Sequence, residues 1–129
     1  MSATADNPPT ATVARAVEVR ATARVISDDP LYRKIPVALR FSPDEPLAVR
    51  IVFPPDLSPE GTENEWVFPR ALLEAGLQAP TGTGDIRVWP CGRVQAIVEF
   101  HSPEGVAVIQ FDIAGLRRFL RRTYGTLTR

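Results

Sequence analysis

The chain has 129 residues, enough for one domain with a substantial core. Its 15 basic and 15 acidic residues cancel, which excludes a general attraction to nucleic acid or an anionic membrane. One cysteine, Cys91, excludes an internal disulfide, no apolar run approaches the ~20 residues of a membrane span, and the N-terminus has no secretory pattern, so a cytoplasmic protein is expected.

Residues 1–12 are small, polar and proline-bearing and read as a disordered tail; 13–125 read as the domain. From Val13 the period becomes two. Val17, Val19, Ala21, Ala23 and Val25 alternate with Glu18, Arg20, Thr22 and Arg24, as in a half-buried antiparallel strand. Ser27 to Pro30 is turn chemistry, and Ile35, Val37, Leu39 and Phe41 share one face of a second strand, with Pro36 suited to its start or an edge. After the turn Ser42 to Pro46, Leu47, Val49, Ile51 and Phe53 make a third strand. A long proline-rich loop, 54–63, precedes a fourth, Asn64 to Pro69, with Trp66 and Phe68 on one face.

The period then lengthens. Pro69 fits a first helical turn, Ala71 to Ala75 are good helix formers, and Gly76 fits the stop. Strand-like alternation resumes at Ile86, Val88 and Pro90, then at Val94, Ala96, Val98 and Phe100. Ser102 to Gly105 reads as a hairpin turn and Val106 to Phe111 as the returning strand. Asp112 can cap a final helix whose apolar face is Ile113, Leu116, Phe119, Leu120 and Tyr124, with Gly125 as its stop. The expected fold is α+β: an antiparallel curved sheet or barrel of about seven to eight strands with two helices, in the order ββββαβββα. Two rounds of strands followed by a helix suggest a pseudo-repeat.

Three stretches bear on chemistry. "TGTGDIRVWP", Thr81 to Pro90, has Gly-x-Gly before an acid, but Arg87 stands where a dinucleotide fingerprint needs its third glycine, and no Lys-Ser/Thr follows Gly84. It reads as a glycine turn from helix to strand. Cys91 and His101 are each unique and too few for a zinc site; both fall near ends of adjacent strands, with no third residue to orient a nucleophile pair. No catalytic, cofactor-binding or metal-binding set is identified, so an enzyme is not expected. In the last helix Arg117, Arg118, Arg121 and Arg122 form two i,i+4 rows opposite the apolar face, followed by Arg129. They read either as a solvated helix face or as a surface for an acidic protein segment or nucleic-acid phosphates. Trp66 and Trp89 read either as core or as anchors of a subunit interface.

"EWVFPRALLEAGLQAPTGTGDIRVWP" (Glu65 to Pro90), "SPEGVAVIQF" (Ser102 to Phe111), "LRRFLRRT" (Leu116 to Thr123) and "PVALRFSPDEPLAVRIVF" (Pro36 to Phe53) together resemble the SsgA-like sporulation and cell-division proteins of filamentous actinomycetes, SsgB among them. The resemblance runs from about Val13 to Thr123. It implies a non-enzymatic regulator of sporulation-specific septation, active at the septum through protein contacts, with the tubulin-like division protein FtsZ or another SsgA-like protein as partner. It also implies a homotrimer and a whirly-like fold, with Trp66, Phe68, Gly84, Asp85, Trp89 and Pro90 as structural positions. The whirly likeness and the arginine helix leave single-stranded nucleic-acid binding as the alternative.

Overall fold

The computed structural model describes residues 16–26, 33–55 and 64–127. The readings of residues 1–12 as a tail, of 27–30 as a turn, of most of the 54–63 loop and of Arg129 lie outside that range.

Four strands come first: β1 (Val17–Ile26), β2 (Arg33–Phe41), β3 (Ala48–Phe53) and β4 (Asn64–Pro69). Helix α1 (Arg70–Gly76) follows. Four more strands, β5 (Thr81–Thr83), β6 (Ile86–Cys91), β7 (Gln95–Ser102) and β8 (Gly105–Asp112), lead into α2 (Ile113–Leu127). Among the described residues these eight strands form one antiparallel sheet in the order β4-β3-β2-β1-β8-β7-β6-β5. It consists of two four-stranded meanders, each followed by a helix, so the suggested pseudo-repeat exists in the topology. Among the described residues the meanders meet where Arg24–Gln110, Val25–Ile109 and Ile26–Val108 pair.

The sheet is strongly curled. β3 and β7 are four places apart, which in a flat sheet would be about 19 Å. Yet the rings of Phe53 and Phe100 meet edge-on at 5.4 Å between centroids, and Trp66 of β4 meets Phe100 at 4.9 Å. One apolar core fills the curl. Val17, Val19 and Ala23 of β1, Leu39 and Phe41 of β2, Val98 and Phe100 of β7, and Ile109 and Phe111 of β8 all contribute to it. The period-two readings of β1, β2 and β7 therefore place the right residues inside.

Helix α2 lies along β1 and β8 and buries Ile113, Leu116, Phe119 and Leu120 in the same core. Thr123 is also fully buried, and its hydroxyl donates to the Leu120 carbonyl at 2.7 Å, which satisfies the polar atom. Arg70, at the start of α1, binds the two helices together. Its guanidinium lies 4.0 Å over the Tyr124 ring and 5.5 Å from the Phe41 ring, and it donates to the Thr123 hydroxyl at 3.4 Å. The Tyr124 hydroxyl donates to Glu74 of α1, and this bond holds the phenol's pKa above its ordinary value, with desolvation adding to the shift.

Several sequence expectations are corrected. The 81–90 stretch is a hairpin rather than a turn from helix to strand: Thr83 pairs with Ile86 around Gly84-Asp85, which adds the eighth strand. Gly84 has φ +55° and Asp85 does not have positive φ, the pattern of a II′ turn. Pro69 is the extended N-cap of α1 instead of lying in its first turn, because it still pairs with Ala48 as the end of β4. Gly76 is the last residue of α1 and keeps negative φ; what it supplies is closeness, since a Cβ there would lie 2.3 Å from the Val88 side chain. Gly125 does not stop α2, which continues to Leu127 without positive φ. Leu47 and Val94 lie in turns before their strands and are exposed, because neighbouring backbone bonds fix each turn: Arg70 N–H to the Leu47 carbonyl at 2.8 Å, and Ile113 N–H to the Val94 carbonyl at 2.8 Å. Tyr124 is partly exposed, held outside the core by Arg70 and Glu74.

Candidate interaction surface

Both described helices pack on the core side of the sheet, so the side chains of its convex face bear on what the protein offers outward. On the first meander that face is a web of compensated charge. Glu18 of β1 pairs with Arg20 at 3.2 Å and with Arg40 of β2 at 3.4 Å. Arg50 of β3 sits between Glu45 and Glu65, reaching Glu65 at 3.3 Å, and the Glu45 bond is the main reason its pKa is raised. Such exposed pairs add little stability each. They flank Ala38 and Val52, cross-strand partners that point outward and are nonetheless buried.

On the second meander the convex face mixes aromatic and apolar side chains with charged and polar ones. Strand parity puts Val88 in the core and so turns Trp89 outward, over its cross-strand partner Ile97. The Trp89 indole N–H donates to Glu99 at 2.7 Å, and His101 Nε2 lies 2.9 Å from the other carboxylate oxygen. These two bonds, the His101 one foremost, lower the Glu99 pKa against the opposing effect of desolvation. Val106 and Ile26 are exposed on the same face. Trp89 therefore packs on its own sheet while keeping an accessible flank, with Pro80, Gly82 and Arg87 lining a shallow groove of about 310 Å³ beside it.

Trp66 is directed the other way. It points into the curl, against Phe100, and forms the wall of a cleft of about 370 Å³ at the open end of the sheet. Phe53, Val25, Ala107 and Ile109 make its apolar floor, with Asn64, Ser102 and Glu104 at the rim.

The four arginines of α2 are exposed, as their spacing implies. They are not equivalent. Arg122 reaches back to the Glu18 carbonyl at 3.5 Å, on a part of β1 away from Arg24, Val25 and Ile26, which pair with β8. Among the described residues, no salt bridge reaches Arg117, Arg118 or Arg121.

Cys91 and His101 are not brought together. Cys91 pairs with Gln95 at one end of β7, and His101 lies six residues further along that strand, about 20 Å away by strand rise. Both are near strand ends, as the sequence suggests, but opposite ones. The Glu99 link between Trp89 and His101 is absent from the sequence reading, although the alternation of β6 and β7 places all three on one face. The Arg70 clamp has no sequence signal, since its partners on α2, Thr123 and Tyr124, lie more than fifty residues away.

No described helix is long and apolar enough to cross a membrane. The sequence model of one family, Streptomyces sporulation and cell division protein SsgA, matches residues 35–129. The chain is 36% identical over 116 residues to the sporulation-specific cell division protein SsgB of Salinispora tropica, an alignment covering 88% of this chain and 80% of the relative. It is 41% identical over 93 residues to SsgB of Kineococcus radiotolerans, covering 68% of this chain; the match spans about half of that longer relative, 54%. Among solved structures, one described by the words "Mutations in SsgB correlate to longitudinal cell division during sporulation of Streptomyces coelicolor" superposes with a TM-score of 0.73 at 33% identity, over 84% of this chain and 86% of the other.

Proposed function

Since this chain belongs to the SsgA family of sporulation and cell division proteins, we propose that it acts in sporulation-specific cell division, at the septum, as a regulator working through protein contacts rather than catalysis. The observation that carries this reading is the likeness to SsgB proteins across most of the domain, in sequence and in fold together. The Streptomyces coelicolor relative, in which mutations correlate to longitudinal cell division during sporulation, points to septum placement or orientation as the step affected.

The partner is FtsZ or another SsgA-like protein, and the assembly is a homotrimer. The contact residues we assign are Arg117, Arg118 and Arg121 on α2 and the free flank of Trp89. Arg122 and Trp66 contribute less to contact, being engaged with Glu18 and with Phe100. Co-sedimentation with FtsZ polymers, together with light scattering of the free protein, tests the reading. The expected results are recovery in the FtsZ pellet above the FtsZ-free control and a mass of three chains. A chain that stays in the supernatant removes FtsZ as a direct partner, and a monomeric mass removes the trimer.

A further inference from the structure

We propose that the α2 arginine face is a docking site for an acidic, extended segment of a partner protein, with Arg117, Arg118 and Arg121 as the charges that bind it. The inference rests on the protein-contact reading above and specifies the partner's chemistry.

The whole chain is neutral, but the charge is not evenly spread. On the convex face of the first meander, Glu18, Glu45 and Glu65 neutralise Arg20, Arg40 and Arg50 locally. α2 holds four arginines and no acid over its length. None of the four has an acidic partner among the described residues, and Arg122 reaches only the main-chain carbonyl of Glu18, so an acidic ligand would complement charge that the fold leaves uncompensated.

Geometry narrows the ligand. Arg117 and Arg121 are one i,i+4 row, rising about 6 Å along the helix axis. Carboxylates at alternate positions of an extended chain repeat at nearly the same interval, about 6.7 Å. Each guanidinium can grip a carboxylate through a two-pronged hydrogen-bonded fork. Lipid insertion does not fit, because Ile113, Leu116, Phe119 and Leu120 of α2 are spent in the core. Single-stranded nucleic acid fits less well, because it needs aromatic faces beside the cations. Tyr124, on the same helix, has one face under Arg70 and its hydroxyl on Glu74.

The test uses the full chain and a fluorescein-labelled peptide of alternating Glu and Ser, read by anisotropy at low and at physiological salt. An alternating Lys-Ser peptide and oligothymidylate serve as comparisons. The acidic peptide is expected to bind and to weaken with salt. R117Q/R121Q should lose about fivefold or more in affinity at unchanged melting temperature, and R117E/R121E should lose binding. R122Q should retain most binding, since that side chain is turned back toward the Glu18 main-chain carbonyl. The proposal is overturned if the folded protein ignores the acidic peptide at low salt, if R117Q/R121Q binds it as well as the parent, or if oligothymidylate binds more tightly. Peptide failure in a protein whose loss still disturbs septation would remove this site and leave the proposed function standing. Peptide binding by a protein dispensable for septation would do the reverse.

Discussion

Gly76→Ala sets two well-known effects against each other. Replacing a helical glycine by alanine gains about 1 kcal/mol of helix propensity. At this position the new methyl would lie 2.3 Å from both Cβ and Cγ1 of Val88 and 2.9 Å from its carbonyl oxygen. Those separations are far inside the ~3.5–4.0 Å optimum for carbon contacts. Val88 is fully buried in the middle strand of a three-strand packing (β5, β6, β7), and a backbone oxygen cannot rotate aside. The overpacking cost therefore belongs near the top of the usual range, about 3 kcal/mol. The net is a loss of about 2 kcal/mol, or about 8 °C in melting temperature for a domain of this size. Gly115→Ala in α2 is the internal control, because nothing lies within 4 Å of a Cβ there and its φ is not positive. It should raise stability by up to about 1 kcal/mol. Urea denaturation of both variants gives the comparison. If Gly76→Ala is as stable as the parent, α1 does not press on β6 as described, and the placement of neighbouring Trp89 loses its explanation.

Three further outcomes follow from the same contacts. Gly84→Ala should cost about 1 kcal/mol from its positive φ alone, because the space around it is open; a variant as stable as the parent in urea would contradict the positive-φ turn. Glu99→Ala should cost about 1–2 kcal/mol at pH 7 by removing the acceptor of Trp89 and His101. Because the folded pKa of Glu99 is lowered, its charge-dependent stabilisation is complete above the ordinary value of 4.5 and lost as pH falls through the lowered one, so the parent–variant gap in denaturation midpoint should shrink in acid. Tyr124 runs the other way: its raised pKa means a contribution present below pH 10.0 and lost as pH rises through the folded value, so Glu74→Gln should bring its phenolate absorbance transition down toward 10.0.

Period-two alternation in β1, β2 and β7 was strong enough to name their core residues, because a strand with one wet face must alternate. What the sequence could not show came from contacts between distant segments. Gly76 looks like an ordinary helix stop until Val88 is placed against it. Gly125 looks like another, but the packing of Leu116, Phe119 and Leu120 carries α2 past it. β5 has three residues, too short for a period to register, so the 81–90 hairpin shows only in its register with β6. Trp66 and Trp89 were indistinguishable as core or contact residues. The curl of the sheet draws one inward, and strand parity sends the other out. The arginines of α2 are legible as a row, but Arg122's contact with the Glu18 carbonyl depends on how α2 packs along β1.

The claim most in need of a direct test is the role in sporulation-specific cell division. The decisive measurement is deletion of the gene in its native host, with membrane and cell-wall staining of sporulating filaments and the position and angle of every septum scored. The account predicts missing, misplaced or longitudinal septa, restored by the parent gene. Regular transverse septa and normal spores in the deletion strain would contradict it.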